Sequence, residues 1–152
     1  MTQEEKQLLL QDLCARLPYG IFVHTWYNKP LDIGCTGVDI YTNTIRLDLP
    51  DDYYARVYID NVKLYLRPMS SMTEDEKTEY RNIIPDIEWN YGIQYPTTNK
   101  LDWCNKNHFD YRGLIEKGLA LEAPEGMYKE WISIRGNLKE DKEGNIVGGL
   151  EL

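Results

Sequence analysis

Between Ile45 and Arg67, apolar and polar side chains alternate in three successive runs. Ile45, Leu47 and Leu49 alternate with Arg46 and Asp48. Ala55, Val57 and Ile59 alternate with Tyr54, Arg56, Tyr58 and Asp60, and Val62, Leu64 and Leu66 with Lys63, Tyr65 and Arg67. A period of two sends successive side chains to opposite faces of a strand, so each run predicts a sheet with one buried and one wet face. Two less regular strands are expected before them, over 21–27 and 37–41. Asn28-Lys29-Pro30, Thr42-Asn43, Pro50-Asp51-Asp52 and Asp60-Asn61 supply the breaks. Five short antiparallel strands left flat would expose two edges and half a core, whereas curling hides the edges and encloses one face. The expectation is an SH3-like small barrel, with Asp60-Asn61 forming a tight turn or a single 3₁₀ turn.

Helices flank this sheet. Thr2 followed by Glu5 has capping-box spacing, and Leu9, Leu10, Leu13, Cys14 and Leu17 recur at helical intervals. A helix over 3–16 follows, stopped at Leu17-Pro18-Tyr19-Gly20 and placed to plug an open end of the barrel or lie across a face. Thr73 and Glu76 form a second box, which starts a helix running to about Ile83 and broken by Pro85. Residues 85–98 read as an irregular connection containing Trp89, Tyr91 and Tyr95. A short helix over 99–107 carries Leu101, Cys104 and His108 on one side, and Asp110 can cap another over 111–117 that Gly118 ends. A strand is expected over 130–135, and 137–152 reads as a mobile tail or loose hairpin. The fold class is therefore α+β: an N-terminal helix, the small barrel, then two or three short helices. It divides into 1–72, 73–135 and a tail over 136–152.

The formal charge is −8, and its distribution excludes some partners. Residues 1–72 hold nine acidic and seven basic side chains; residues 73–152 hold sixteen acidic and ten basic. Duplex binding draws most of its affinity from phosphate neutralisation, so an acidic chain argues against nucleic acid as the partner. No apolar run approaches the roughly 20 residues that span a bilayer, and the opening Met1-Thr2-Gln3-Glu4-Glu5-Lys6 predicts no secretory leader. Cys14, Cys35 and Cys104, an odd and scattered set, predict reduced thiols in the cytoplasm.

The chemistry-bearing candidates are few. If the fourth and fifth strands pair, Tyr54, Arg56 and Tyr58 meet Lys63, Tyr65 and Arg67 on the wet face. Tyrosine and arginine are enriched at protein interfaces because each combines apolar area with donors, so these six form the candidate partner-binding face. Cys104 and His108 have i, i+4 spacing, which lets two side chains reach one metal, but two further ligands lack a motif. A half-buried cysteine and a capping or hydrogen-bonding histidine are the preferred reading. Cys104, His108 and Asp110 also resemble a thiol–imidazole–carboxylate set, yet catalytic sets are usually assembled from distant segments, and helix packing with an N-cap accounts for these. Asp48 with Asp51 and Asp52 lacks calcium-loop spacing and reads as a turn. No nucleophile elbow, phosphate-binding loop or dinucleotide fingerprint occurs. No cofactor is expected.

Three stretches carry a resemblance. They are Leu8-Leu9-Leu10-Gln11-Asp12-Leu13-Cys14-Ala15-Arg16-Leu17-Pro18-Tyr19-Gly20, Leu64-Tyr65-Leu66-Arg67-Pro68-Met69-Ser70-Ser71-Met72-Thr73, and His108-Phe109-Asp110-Tyr111-Arg112-Gly113-Leu114-Ile115-Glu116-Lys117-Gly118-Leu119-Ala120-Leu121. The chain resembles a family of small uncharacterised proteins of gut anaerobic bacteria and their prophages. The resemblance implies an intracellular, phage-linked setting and brings no activity. The expected function is a non-enzymatic interaction module with a protein partner. The alternatives are an acidic DNA-mimic that inhibits a nucleic-acid enzyme, and a small hydrolase built on Cys104.

Overall fold

In the computed structural model, which describes residues 1–50, 55–83, 87–90, 93–96, 99–128, 139–140 and 146–147, the chain opens on helix α1, Gln3–Arg16. Its capping box forms as the spacing predicts: Thr2 Oγ1 accepts from the Glu5 amide at 3.1 Å, and the Glu5 carboxylate accepts from the Thr2 amide at 2.7 Å. The buried face is rotated from the expected stripe. Leu9, Asp12, Leu13 and Arg16 point inward, while Cys14 is exposed and Leu10 and Leu17 are only half-buried. An acid and a base at i, i+4 can share a buried face because each supplies the other's counter-charge.

Six strands follow the helix: β1 (Ile21–Tyr27), β2 (Lys29–Asp39), β3 (Thr44–Leu47), β4 (Arg56–Tyr58), β5 (Val62–Leu66) and, much later, β8 (Ala120–Glu122). The alternation is expressed as expected, with Ile45, Leu47, Ala55, Val57, Ile59, Val62, Leu64 and Leu66 all buried. A 3₁₀ turn, Ile59–Asn61, links β4 to β5. The closed SH3-like barrel does not form. The sheet is open, in the order β4-β3-β2-β1-β5-β8. β8 lies parallel to β5, with Leu64, Tyr65 and Leu66 opposite Ala120, Leu121 and Glu122, and so occupies the edge that β5 would need to meet β4. Leu9 and Leu13 of α1 are buried together with Ile21 and Val23 of β1 in the core.

The remaining elements are short. Helix α2, Glu74–Asn82, carries its expected capping box from Thr73, and helix α3 spans Asn99–Lys106. Between them, where an irregular connection was expected, β6 (Ile87–Asn90) and β7 (Ile93–Pro96) form an antiparallel ladder. The helix expected over 111–117 is instead a series of turns. Gly113, at φ +70, interrupts the helical path, and Asp110 caps only the turn that follows, accepting from the Leu114 and Ile115 amides at 2.8 and 2.9 Å. Gly118, at φ +73, ends that turn in the left-handed conformation a glycine adopts without strain.

Two units divide the chain, Met1–Glu122 and Ala123–Leu152. In the second, β9 (Lys139–Glu140) pairs antiparallel with β10 (Ile146–Val147). Tyr54, the Asp51-Asp52 turn and the strand expected over 130–135 lie outside the described residues. Among the described residues, no helix is long and apolar enough to cross a membrane.

Candidate interaction face

Of the six residues expected to share a wet face, Tyr54 lies outside the described residues, and the strands of the other five do not pair. β4 is an edge strand, and in the hydrogen-bonded order β3, β2 and β1 stand between it and β5; the 3₁₀ turn Ile59–Asn61 joins β4 to β5 without a ladder between them. Lys63 is exposed on β5 opposite His24 of β1. Tyr65 is buried, and its hydroxyl donates to Asp32 Oδ1 at 2.8 Å. Burial, then the bond to that carboxylate, push the Tyr65 phenol up to about 12. The Arg67 guanidinium grips Glu76 through two bonds of 2.8 Å and stacks 4.2 Å above the Phe109 ring. Tyr65 and Arg67 thus stabilise the fold, and among the described residues of the set only Arg56 and Tyr58 remain together on an open surface.

On that surface β2, β3 and β4 align their outward residues in rows. Gly37, Arg46 and Arg56 lie side by side across the three strands, and Asp39, Thr44 and Tyr58 form the next row. The reason is local: Ile45, Leu47 and Val57 take the inner face, which leaves Arg46, Arg56 and Tyr58 outside. Gly37 contributes no side chain to its row, so a depression opens there, lined by Gly37, Val38, Asp39, Thr44, Arg46 and Arg56. A Cβ at Gly37 would already touch the Arg46 Cβ at 3.6 Å.

Asp39 organises the lower end of the face. Its Oδ1 accepts from the Tyr41 and Thr42 amides at 2.9 and 3.1 Å, which closes the β2–β3 turn with Asn43 at φ +53. Those amides, from Thr42 and then Tyr41, hold the Asp39 carboxyl below its ordinary range. Its other oxygen reaches Arg56 Nη1 at 3.4 Å, a long contact. The Arg46 side chain makes no hydrogen bond or ion pair with any described residue. Two arginines directly opposite each other repel, at a cost of about 0.2–1 kcal/mol for a cross-strand pair. Beside them at the same end of the sheet, Tyr41 is 93% exposed, Tyr58 64% and Ile40 57%. Arg46 was visible in the sequence as an outward residue of the third strand, but only the register shows that it faces Arg56 and a glycine.

A second cluster is buried. Asp12 and Arg16, both fully buried, bond at 2.7 and 3.2 Å; Arg16 also donates to the Phe109 carbonyl at 2.8 Å, and Arg112 donates to Asp12 at 3.1 Å. Arg16 and Arg112 both lie over the Tyr111 ring. The network ties α1 to 109–112, and its i, i+4 acid–base spacing was the one sequence signal for it. Cys104 and His108 lie within this region, and both are buried. Burial, then the Arg16 and Arg67 charges, push the His108 imidazole down to about 3, and burial raises the Cys104 thiol. The Asp110 carboxylate is engaged by two amides of its own turn. A neutral, hard-to-protonate imidazole, a thiol that resists ionisation and a carboxylate serving as a cap do not make a nucleophilic set. Among the described residues, no group of three or more Cys, His, Asp or Glu side chains is placed to hold a metal ion.

A third cluster sits on the outer surface of β1 and β2. His24 Nδ1 lies 2.7 Å from Asp32 Oδ1, and the pair is roughly half exposed. The bond to His24 holds the Asp32 carboxyl low, opposed by slight burial and assisted by Tyr65. The Tyr65 hydroxyl also donates a hydrogen bond to the same Asp32 oxygen, at 2.8 Å. Comparison with family models, with curated proteins and with solved structures returned no match to the chain.

Proposed function

We propose that the chain is a non-enzymatic protein-interaction module whose docking face is the outer surface of β2, β3 and β4. The observation that carries this reading is the grouping of exposed Ile40, Tyr41 and Tyr58 at one end of an edge strand, beside arginines with little or no internal pairing. Large aromatic groups rimmed by arginine are the side chains that dominate interface energies. A cytoplasmic setting of phage or mobile-element type accords with three free cysteines and with the resemblance noted above. For the acidic-mimic alternative, α2 displays Glu74, Asp75 and Glu79, while Glu76 is withdrawn into its pair with Arg67.

The test is capture by the tagged full chain from an extract of the cells that make it. Wild-type protein should retain one partner stoichiometrically. A Tyr41→Ser, Tyr58→Ser double variant that melts at the wild-type temperature should retain at least tenfold less. Equal retention by both proteins, or no stoichiometric partner, overturns the reading.

A further inference from the structure

Resting on that docking reading, we infer that the partner presents an acidic peptide segment, one of whose carboxylates seats in the depression above Gly37 between the Arg46 and Arg56 guanidiniums. In this acidic chain four of the six described arginines, Arg16, Arg56, Arg67 and Arg112, have a carboxylate close by, and Arg81 donates to the Lys77 carbonyl. Lys6 meets Asp60, Arg16 and Arg112 meet Asp12, Arg67 meets Glu76 and Lys77 meets Glu74. Arg46 is different: it stands in register against a second arginine, on an outer face, and its side chain pairs with no acid among the described residues. The nearby Asp39 is already engaged by two amides and reaches only Arg56, at 3.4 Å. Two forked donors lining one depression beside a residue without a side chain suit the planar, two-oxygen shape of a carboxylate. A carboxylate arriving there replaces a repulsion with two attractions, which a neutral ligand cannot do.

The rows also set what stands next to that acid. Tyr58 lies in the adjoining row, two residues along β4 from Arg56, so about 6–7 Å separate the two positions along the strand. An extended segment lying over the face therefore places an apolar side chain two positions from its acid against Tyr58. The ligand class is an acidic residue followed or preceded, at that spacing, by an apolar one.

The test is a titration of the ¹⁵N-labelled full chain with hexaglutamate, following the arginine Nε–Hε resonances by NMR. Expected are saturable shifts of Arg46 and Arg56, none with hexaglutamine, and at least tenfold weaker binding by Arg46→Gln protein of unchanged fold. Absence of a saturable shift, or Arg46→Gln binding as tightly as wild type, overturns the inference. So does inorganic phosphate saturating the same resonances at equal concentration, which would make this a free-oxyanion site. Self-association that sedimentation shows to be abolished by Arg46→Gln would also overturn it, by making the acidic partner a second copy. Tyrosine-dependent capture without hexaglutamate binding sinks the ligand class alone; hexaglutamate binding with capture indifferent to Tyr41 and Tyr58 sinks the docking reading alone.

Discussion

His108 shows how one residue's position carries a stability consequence that its identity does not. It sits at φ +63, and its carbonyl accepts from the Arg67 amide at 2.7 Å, so the backbone there is held by the end of β5. Its imidazole titrates at about 3 in the fold, against 6.5 for the ordinary group. Below pH 6.5 the unfolded chain accepts a proton that the folded chain refuses, so stability is complete above that pH and is lost as pH falls toward 3. The slope approaches about 1.4 kcal/mol per pH unit in the middle of the window. Denaturant midpoints measured between about pH 6.5 and 5, above the range where ordinary carboxylates dominate, should fall in wild-type protein. They should fall less in His108→Asn, since asparagine tolerates a left-handed backbone and does not titrate. Equal slopes would mean that His108 is protonated in the fold. The sequence offered His108 as a packing or ligand residue; its burial among cations depends on Arg16, ninety-two positions earlier, and no local pattern carries that.

At the scale of elements, the caps were legible and the lateral contacts were not. Both Thr-x-x-Glu boxes form where their spacing places them, because a cap satisfies orphan amides within a single turn. Helix α2, however, buries none of its residues. It is held by Glu76, whose Oε2 accepts from both the Thr73 amide at 2.9 Å and Arg67 at 2.8 Å, and by Tyr80 against Trp103 at 5.5 Å. Partial burial of Glu76 is outweighed by those bonds, which keep its carboxyl below the ordinary range. Glu76→Ala removes cap and clamp together and should cost about 2 kcal/mol in chemical denaturation. Glu76→Gln keeps a capping acceptor and should cost about half of that. An unchanged midpoint for the alanine variant would show that α2 is fastened elsewhere. Strand β2 marks the opposite outcome. Asn28-Lys29-Pro30 was expected as a break, with the second strand starting only at Gly37. The strand instead runs over Lys29–Asp39 with a register shift between Cys35 and Gly37, since pairing with β1 along the hairpin and with β3 beyond it overrides local preference.

At the scale of the whole molecule, the parallel strand β8 decides the architecture. Ala120, Leu121 and Glu122 each return from 56 positions away to cover β5, and a sheet so extended has no free β5 edge on which to close. The Ala120 amide donates to the Leu114 carbonyl at 3.2 Å, and strand alternation leaves the Leu121 amide for β5. Leu121→Pro should therefore uncouple β8, lower stability by at least about 1 kcal/mol and expose an unpaired edge that promotes aggregation. Thermal melting with light scattering would register both effects; a variant that melts and scatters like wild type would show that β8 adds nothing to the sheet.

What the sequence determined by itself were the local, short-period features: two capped helices, the alternating strands and their inward aliphatic rows, and the α+β class. Each depends on neighbours within a turn or a strand. Tertiary structure alone decided the neighbours of each strand, which buried Tyr65, joined Arg67 to Glu76 and set Arg46 against Arg56 over a glycine. Alternation says which face a side chain takes but not which strand lies beside it, and that choice was made by contacts far apart in the chain.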